Sequence, residues 1–171
     1  MTDIIRVDEN DKEIGVAEKL KAHEEGWLHR AFSVFVYRKH NNTLELLLQK
    51  RHPDKYHSGG LWTNACCGHP YPCEGVVEAG ERRLKEEMGI AVPLHEVGVF
   101  HYKASVGHGL IENEIDHVLI GEFPLSAQIQ PDAQEISDYC WVEIETLRQD
   151  VAQNSANYTV WLPQALRFVS L

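Results

Sequence analysis

The run Leu61-Trp62-Thr63-Asn64-Ala65-Cys66-Cys67-Gly68-His69-Pro70 sets two adjacent cysteines and a histidine into an otherwise strand-like stretch. Three chemistries suit such residues: a zinc site, a disulfide or a catalytic thiol. Among Cys66, Cys67, Cys73 and Cys140, no pair has the C-x2-C spacing of a structural zinc knuckle. Neighbouring strand residues point to opposite faces, so Cys66 and Cys67 are poorly placed to bond to each other. Both readings lose ground to the thiol. The same alternation puts Cys67 on the face of His69 and Cys66 on the other.

Further groups have chemistry within reach. In Ile111-Glu112-Asn113-Glu114-Ile115 the two carboxylates share a strand face. The segment from Gly75 to Gly89 repeats Val76, Gly80, Leu84 and Met88 at helical spacing, and the opposite face carries Arg83, Glu86 and Glu87. Arg83 and Glu87 lie four apart and are neighbours. His23 and His29 stand upstream. Singly, each has a bland explanation: a structural histidine, a solvated strand face, a surface ion pair of little worth.

These groups need elements to hold them. Residues 3–20 read as a small hairpin leading into a short helix. Residues 28–39 and 43–51 read as strands joined by a His40-Asn41-Asn42 turn, and residues 61–69 as another strand. A helix over Gly75–Gly89 follows, with Gly89 where a C-terminal cap belongs. Residues 92–104, 109–123 and 137–144 read as strands, a helix begins at about Glu145, and a last helix contains Thr159–Val169. Strands mixed with few helices predict an α+β fold, a mixed sheet with helices on its faces, in one domain over residues 1–171.

Composition bounds the partners. The chain is 43% apolar and 25% charged, as globular proteins are. No apolar run approaches a membrane span, and the N-terminus lacks the basic-then-apolar pattern of a signal peptide. A cytoplasmic protein with reduced thiols is expected. The net charge of −10 argues against non-specific nucleic-acid binding, and an anionic substrate would need a local cluster of lysine and arginine. Ten histidines favour a metal.

From Gly68 the chain runs G-x5-E-x7-R-x-L-x-E-E-x-G-I, through Glu74, Arg82, Leu84, Glu86, Glu87, Gly89 and Ile90. This resembles the Nudix box, a loop–helix–loop whose glutamates bind divalent cations beside a diphosphate. Arg83 stands where Nudix hydrolases carry a further glutamate, which counts against pyrophosphatase chemistry. With W-T-N-A-C-C-G-H-P, F-H-Y-K-A, E-N-E and the paired histidines, the chain from about Lys19 to Glu114, and more weakly to Trp161, resembles the type I isopentenyl-diphosphate isomerases.

The resemblance implies an α/β/α Nudix-like fold and interconversion of isopentenyl and dimethylallyl diphosphates by a 1,3-allylic proton shift. It implies a first metal site of His23, His29, His69, Glu112 and Glu114, suited to Mn²⁺, Mg²⁺ or Zn²⁺. A second ion, Mg²⁺, would join Glu87, the Cys67 carbonyl and the diphosphate. Lys19, Arg51, Lys55 and Arg83 would supply positive charge to the substrate. Glu114, assisted by Tyr102, would donate the proton, Cys67 would take one, and Trp161 would face the cationic intermediate. Cations near Cys67 are expected to lower its thiol pKa. Two alternatives remain: a Nudix hydrolase of a nucleoside diphosphate derivative, and a non-catalytic metal-dependent binding module. Oligomeric state is not legible.

Overall fold

The computed structural model describes residues 2–170. Asp3–Val7 (β1) and Glu13–Glu18 (β2) pair as the expected hairpin, and Lys19–Glu25 (α1) follows directly. The Glu18 carboxylate caps α1 by accepting the N–H groups of Leu20 and Lys21. Gly26, at a φ of 68°, ends it. His29–His40 (β3), Thr43–Arg51 (β4), Trp62–Thr63 (β5), Cys66–Gly68 (β6) and Val76–Met88 (α2) come next. His95–Ser105 (β7), Ile111–Glu122 (β8), Ile136–Glu143 (β9), Ile144–Gln153 (α3) and Leu162–Leu166 (α4) complete the order.

Two elements differ from the sequence reading. Residues 61–69 form two short strands, because the buried Asn64 side chain donates to the carbonyls of both Val34 and Cys66 and breaks the run. The last helix is short. It starts at Leu162, next to Pro163, so Trp161 precedes it.

All nine strands among the described residues join one sheet. β3 runs parallel to β8, from His29 opposite Glu114 to Tyr37 opposite Glu122, while the other ladders are antiparallel. β3 and β4 pair only between Tyr37–His40 and Thr43–Leu46. Beyond that they splay, with β6 filling in beside β3 and β5 beside β4. The opening between them is where the functional side chains gather.

Strand alternation divides the core. Phe32, Val34 and Val36 of β3 and Leu119 of β8 pack beneath Leu84 and Met88 of α2. Phe35, Val118 and Ile120 face Leu147 of α3 and Leu166 of α4. His29 and Ser33 share the parity of Phe35, and Glu112, Glu114 and Asp116 share that of Val118. The α3/α4 face is therefore apolar at one end and ionisable at the other.

Gly121 on β8 makes a close approach: a Cβ there would meet the Pro93 carbonyl oxygen at 2.7 Å and Leu94 Cδ2 at 2.8 Å. Backbone cannot swing aside as a side chain can. Gly121→Ala is expected to cost about 1–3 kcal/mol through overpacking, read as a lower Tm, whereas an unchanged Tm would mean that the 90–94 loop yields.

Candidate active site

A cavity of about 290 Å³ opens at the splay. Lys19, Arg51, Lys55, Cys67, His69, Arg83, Glu87, Tyr102, Glu112, Glu114 and Trp161 all line it. His23 and His29 lie behind, fully buried. Every site residue expected from the sequence thus comes to one place.

Three histidines converge on the two glutamates. Tight backbone contacts orient two of the rings: His23 Nδ1 lies 2.7 Å from the Lys19 carbonyl and His29 Nδ1 2.8 Å from that of Trp27. A carbonyl only accepts, so each Nδ1 carries a hydrogen, and in the neutral ring each Nε2 aims a lone pair inward. His29 Nε2 and His69 Nε2 both lie 3.1 Å from Glu114 Oε1, and His23 Nε2 lies 3.4 Å from Glu112 Oε1. His23 Nε2 is buried with no hydrogen-bond partner. Buried lone pairs facing carboxylate oxygens call for a cation between them. The ligand atoms of His23, His29, His69 and Glu114 lie within 4.8 Å of one another, a set that fits a divalent ion. Burial alone would lower His29; the Glu114 hydrogen bond reverses that and raises it. His69 is held well below its usual value by burial and the neighbouring His29.

Tyr102 orders the carboxylate pair. Its hydroxyl lies 2.5 Å from Glu112 Oε2 and 2.9 Å from Glu114 Oε2. One hydroxyl has one hydrogen, so the nearer Glu112 accepts it and Glu114 can donate its own proton to the Tyr102 oxygen. The titration directions agree. Burial raises both carboxylates, but the neighbouring His23 and the hydrogen bond from His57 hold Glu112 well below its usual value. Burial and the charge of Glu112 push Glu114 up to about 7.

Cys67 pairs with Ser33 across the ladder, and Cys66 pairs with Val34 in the apolar core under α2. The Cys67 sulfur lies 3.3 Å from Asn64 Nδ2 and 3.8 Å from Ser33 Oγ. Its acidity corrects the sequence expectation. Burial pushes the thiol up to about 12, the Asp116 charge acts in the same direction, and Asn64 and Arg51 oppose this only in part.

Positive charge gathers at the α2 end. Lys19 is lowered by burial and by the charges of Lys55 and Arg83. Arg83 pairs with Glu87 at 2.9 Å, across the turn expected from their spacing. That pair is not on open surface: Glu87 is buried and takes a 2.9 Å hydrogen bond from Gln49. Close to Gly68 the wall has no spare room, since a Cβ there would meet Phe32 Cζ at 2.8 Å. Arg82 holds Glu74 at 2.7 Å, which explains those two motif positions as a clamp of the loop onto α2. Trp161 is buried, donates from Nε1 to Asn64 Oδ1 at 3.3 Å, and has the Arg51 guanidinium 5.5 Å from its ring centroid. It lines the cavity as well as filling core.

Sequence reasoning missed several residues here. Asp116 and Ser33 were legible by carrying the two-residue period beyond Glu114 and His29. Glu135 pairs with both Lys55 and Arg83, and His57 lies 2.8 Å from Glu112, but both sit in loops without periodicity.

The split mixed sheet, with a glutamate-bearing helix at its opening, defines a Nudix domain, and the NUDIX domain family model matches residues 27–162. The fold is similar to that of a Deinococcus radiodurans protein of solved structure (TM-score 0.76, 16% identity, 96% of this chain and 97% of that one). Among sequences, the chain is 45% identical to the isopentenyl-diphosphate Delta-isomerase of Burkholderia multivorans, over 92% of this chain and 87% of that protein. It is 47% identical to the isopentenyl-diphosphate Delta-isomerase 2 of Photorhabdus laumondii, over 98% and 92%. The chain belongs to the isopentenyl-diphosphate Delta-isomerase family.

Proposed function

We propose that the chain, acting as one domain over residues 1–171, interconverts isopentenyl and dimethylallyl diphosphate. It does so by adding a proton at one carbon and removing one two carbons away. The observation that carries this reading is a single cavity with the carboxyls of Glu112 and Glu114, bridged by the Tyr102 hydroxyl, on one wall and the Cys67 thiol on another. Lys19, Arg51, Lys55 and Arg83 line the same cavity, which suits a small diphosphate. His23, His29, His69, Glu112 and Glu114 would hold a divalent ion (Mn²⁺, Mg²⁺ or Zn²⁺), and Glu87 with the Cys67 carbonyl an Mg²⁺ shared with the diphosphate. Bound charge of that kind draws electron density from Glu114 and strengthens it as an acid.

The chain's own groups account for the rest. Glu114, with Tyr102, gives its proton to the terminal alkene carbon, and the π electrons form the new C–H bond. The face of Trp161 stabilises the tertiary cation and keeps water away from it. Cys67 takes a proton from the carbon nearer the diphosphate, and that C–H pair becomes the new double bond. The roles exchange on return. A thiol held near 12 must first pass on its own proton, and Ser33 offers the route: its oxygen faces the sulfur and its hydroxyl donates to Asp116 at 2.8 Å. No helix among the described residues is long and apolar enough to cross a membrane.

Incubation with isopentenyl diphosphate in D2O is expected to put deuterium into the allylic product. Release of phosphate without isotope entry would make the chain a hydrolase. Arg83→Ala is expected to raise KM about 10–100-fold, the 1.5–3 kcal/mol of a charge-assisted hydrogen bond. The fold should hold, because Arg83 pairs with Glu86, Glu87 and Glu135 at the cavity and belongs to neither apolar core layer. An unchanged KM would take Arg83 out of the diphosphate site.

A further inference from the structure

The loop between β4 and β5 carries a histidine to which the proton-shift chemistry gives no task. His57 is 5% exposed, and its Nε2 lies 2.8 Å from Glu112 Oε1. A carboxylate only accepts, so Nε2 carries the hydrogen, and Nδ1, 3.1 Å from Ser58 Oγ, takes the serine hydroxyl. His57 lies outside the four-residue ligand set of His23, His29, His69 and Glu114; with His23 and Glu112 it forms a second set of ligand atoms within 4.8 Å of one another, in which its Nε2 points at the Glu112 oxygen. Its geometry is that of a donor to a ligand.

Glu112 needs such a donor. Its Oε2 is taken by Tyr102 at 2.5 Å, and its neighbour Glu114 meets the same hydroxyl. Only a second hydrogen bond, on Oε1, fixes the carboxylate's rotation and keeps that oxygen turned towards His23. The loop is built to present it. Arg51 Nη2 donates to the His57 carbonyl at 3.2 Å, the Tyr56 ring packs edge-on to both His57 and His23, and Ser58 adopts a φ of 53° immediately after. The same loop carries Lys55.

We propose that His57 is a positioning residue that sets the metal affinity of the site by holding Glu112 through its Nε2–H, without itself being a ligand. The inference rests on the reading of His23, His29, His69, Glu112 and Glu114 as the metal site. Hydrogen-bond partners of metal ligands typically govern 10–100-fold in affinity.

The test is titration of Co²⁺ into the metal-free protein, read by calorimetry and by the visible spectrum of the bound ion, for the parent, His57→Ala, His57→Gln and His69→Ala. His57→Ala is expected to bind Co²⁺ about 10–100-fold more weakly, yet to show the parent's spectrum at saturation. His57→Gln keeps an N–H donor and should recover most of the affinity. Unchanged affinity in His57→Ala, beside a weakened His69→Ala, overturns the role of His57 alone. A changed spectrum at saturation would make His57 a ligand, and a glutamine variant as weak as the alanine would remove the N–H from the explanation; either overturns the proposal. A parent that takes up no Co²⁺, or a His69→Ala that binds like the parent, overturns the metal-site reading and this inference with it.

Discussion

Cys67→Ala is expected to lower kcat by about 10³-fold, the span usual for removal of a general acid or base, while Cys66→Ala keeps the parent's turnover per folded molecule. The contrast comes from one register. β6 lies beside β3 with Cys67 opposite Ser33 and Cys66 opposite Val34, so the two sulfurs leave the sheet on different faces. Cys66 enters the packed layer beneath α2 and is fully buried there. Its loss is expected to cost stability of about 1–2 kcal/mol, as a small core cavity does, and nothing in chemistry. Cys67→Ser leaves a far less acidic group in place and should be nearly as inactive as the alanine. Metal content should survive all three changes. The check is kcat normalised to folded protein, together with elemental analysis. Alkylation supplies a second contrast. Burial raises both Cys66 and Cys67, so the exposed Cys73 should react first and without loss of activity. Loss of activity in Cys66→Ala with retention in Cys67→Ala would mean that β6 is displaced by one residue, and the whole site assignment would fall.

Periodicity explains which parts of this arrangement the sequence disclosed. The two-residue period separated Cys66 from Cys67 and joined Glu112 to Glu114, because each pair sits on a strand whose pleat is undisturbed. The four-residue period placed Arg83 beside Glu87 on α2, although it read that pair as surface. Only the splay of β3 from β4 shows that the pair faces a cavity, and no local pattern encodes a splay. The break of residues 61–69 at Asn64 escaped for the same reason: its cause is a side-chain amide bonded to Val34, thirty residues away. His57 and Glu135 were invisible because loops have no period. The direction of the Cys67 shift was misread because charge can be counted in a sequence and burial cannot. Lysines and arginines do line the cavity, but desolvation of the sulfur outweighs them.

Glu114→Gln is expected to abolish turnover, by about 10³-fold or more, and yet to make the metal-free protein more stable above neutral pH. The first effect follows from the loss of the acidic proton and of the oxygen that His29 and His69 share. The second follows from burial. The Glu114 carboxyl is pushed up to about 7 from an unfolded value of 4.5, by desolvation and then by the charge of Glu112. A carboxyl raised on folding binds more protons in the native state than in the unfolded one across that interval, so its ionisation destabilises the native state. The penalty is absent below about pH 4.5, grows as the pH rises, and is complete above about pH 7. Glutamine never ionises and carries none of it. Its side-chain NH2, in place of the shared oxygen, can donate to the imidazole Nε2 lone pair, so the shape of the site is kept. Thermal unfolding of metal-free parent and variant should therefore give Tm values that coincide near pH 4 and diverge above pH 7, with the variant higher. Added divalent ion should close the gap by raising the parent, since a cation between the histidines and Glu114 compensates the buried charge. A variant no more stable than the parent at pH 8 would mean that Glu114 is already compensated without metal, and its place as a strained, proton-bearing acid would be lost.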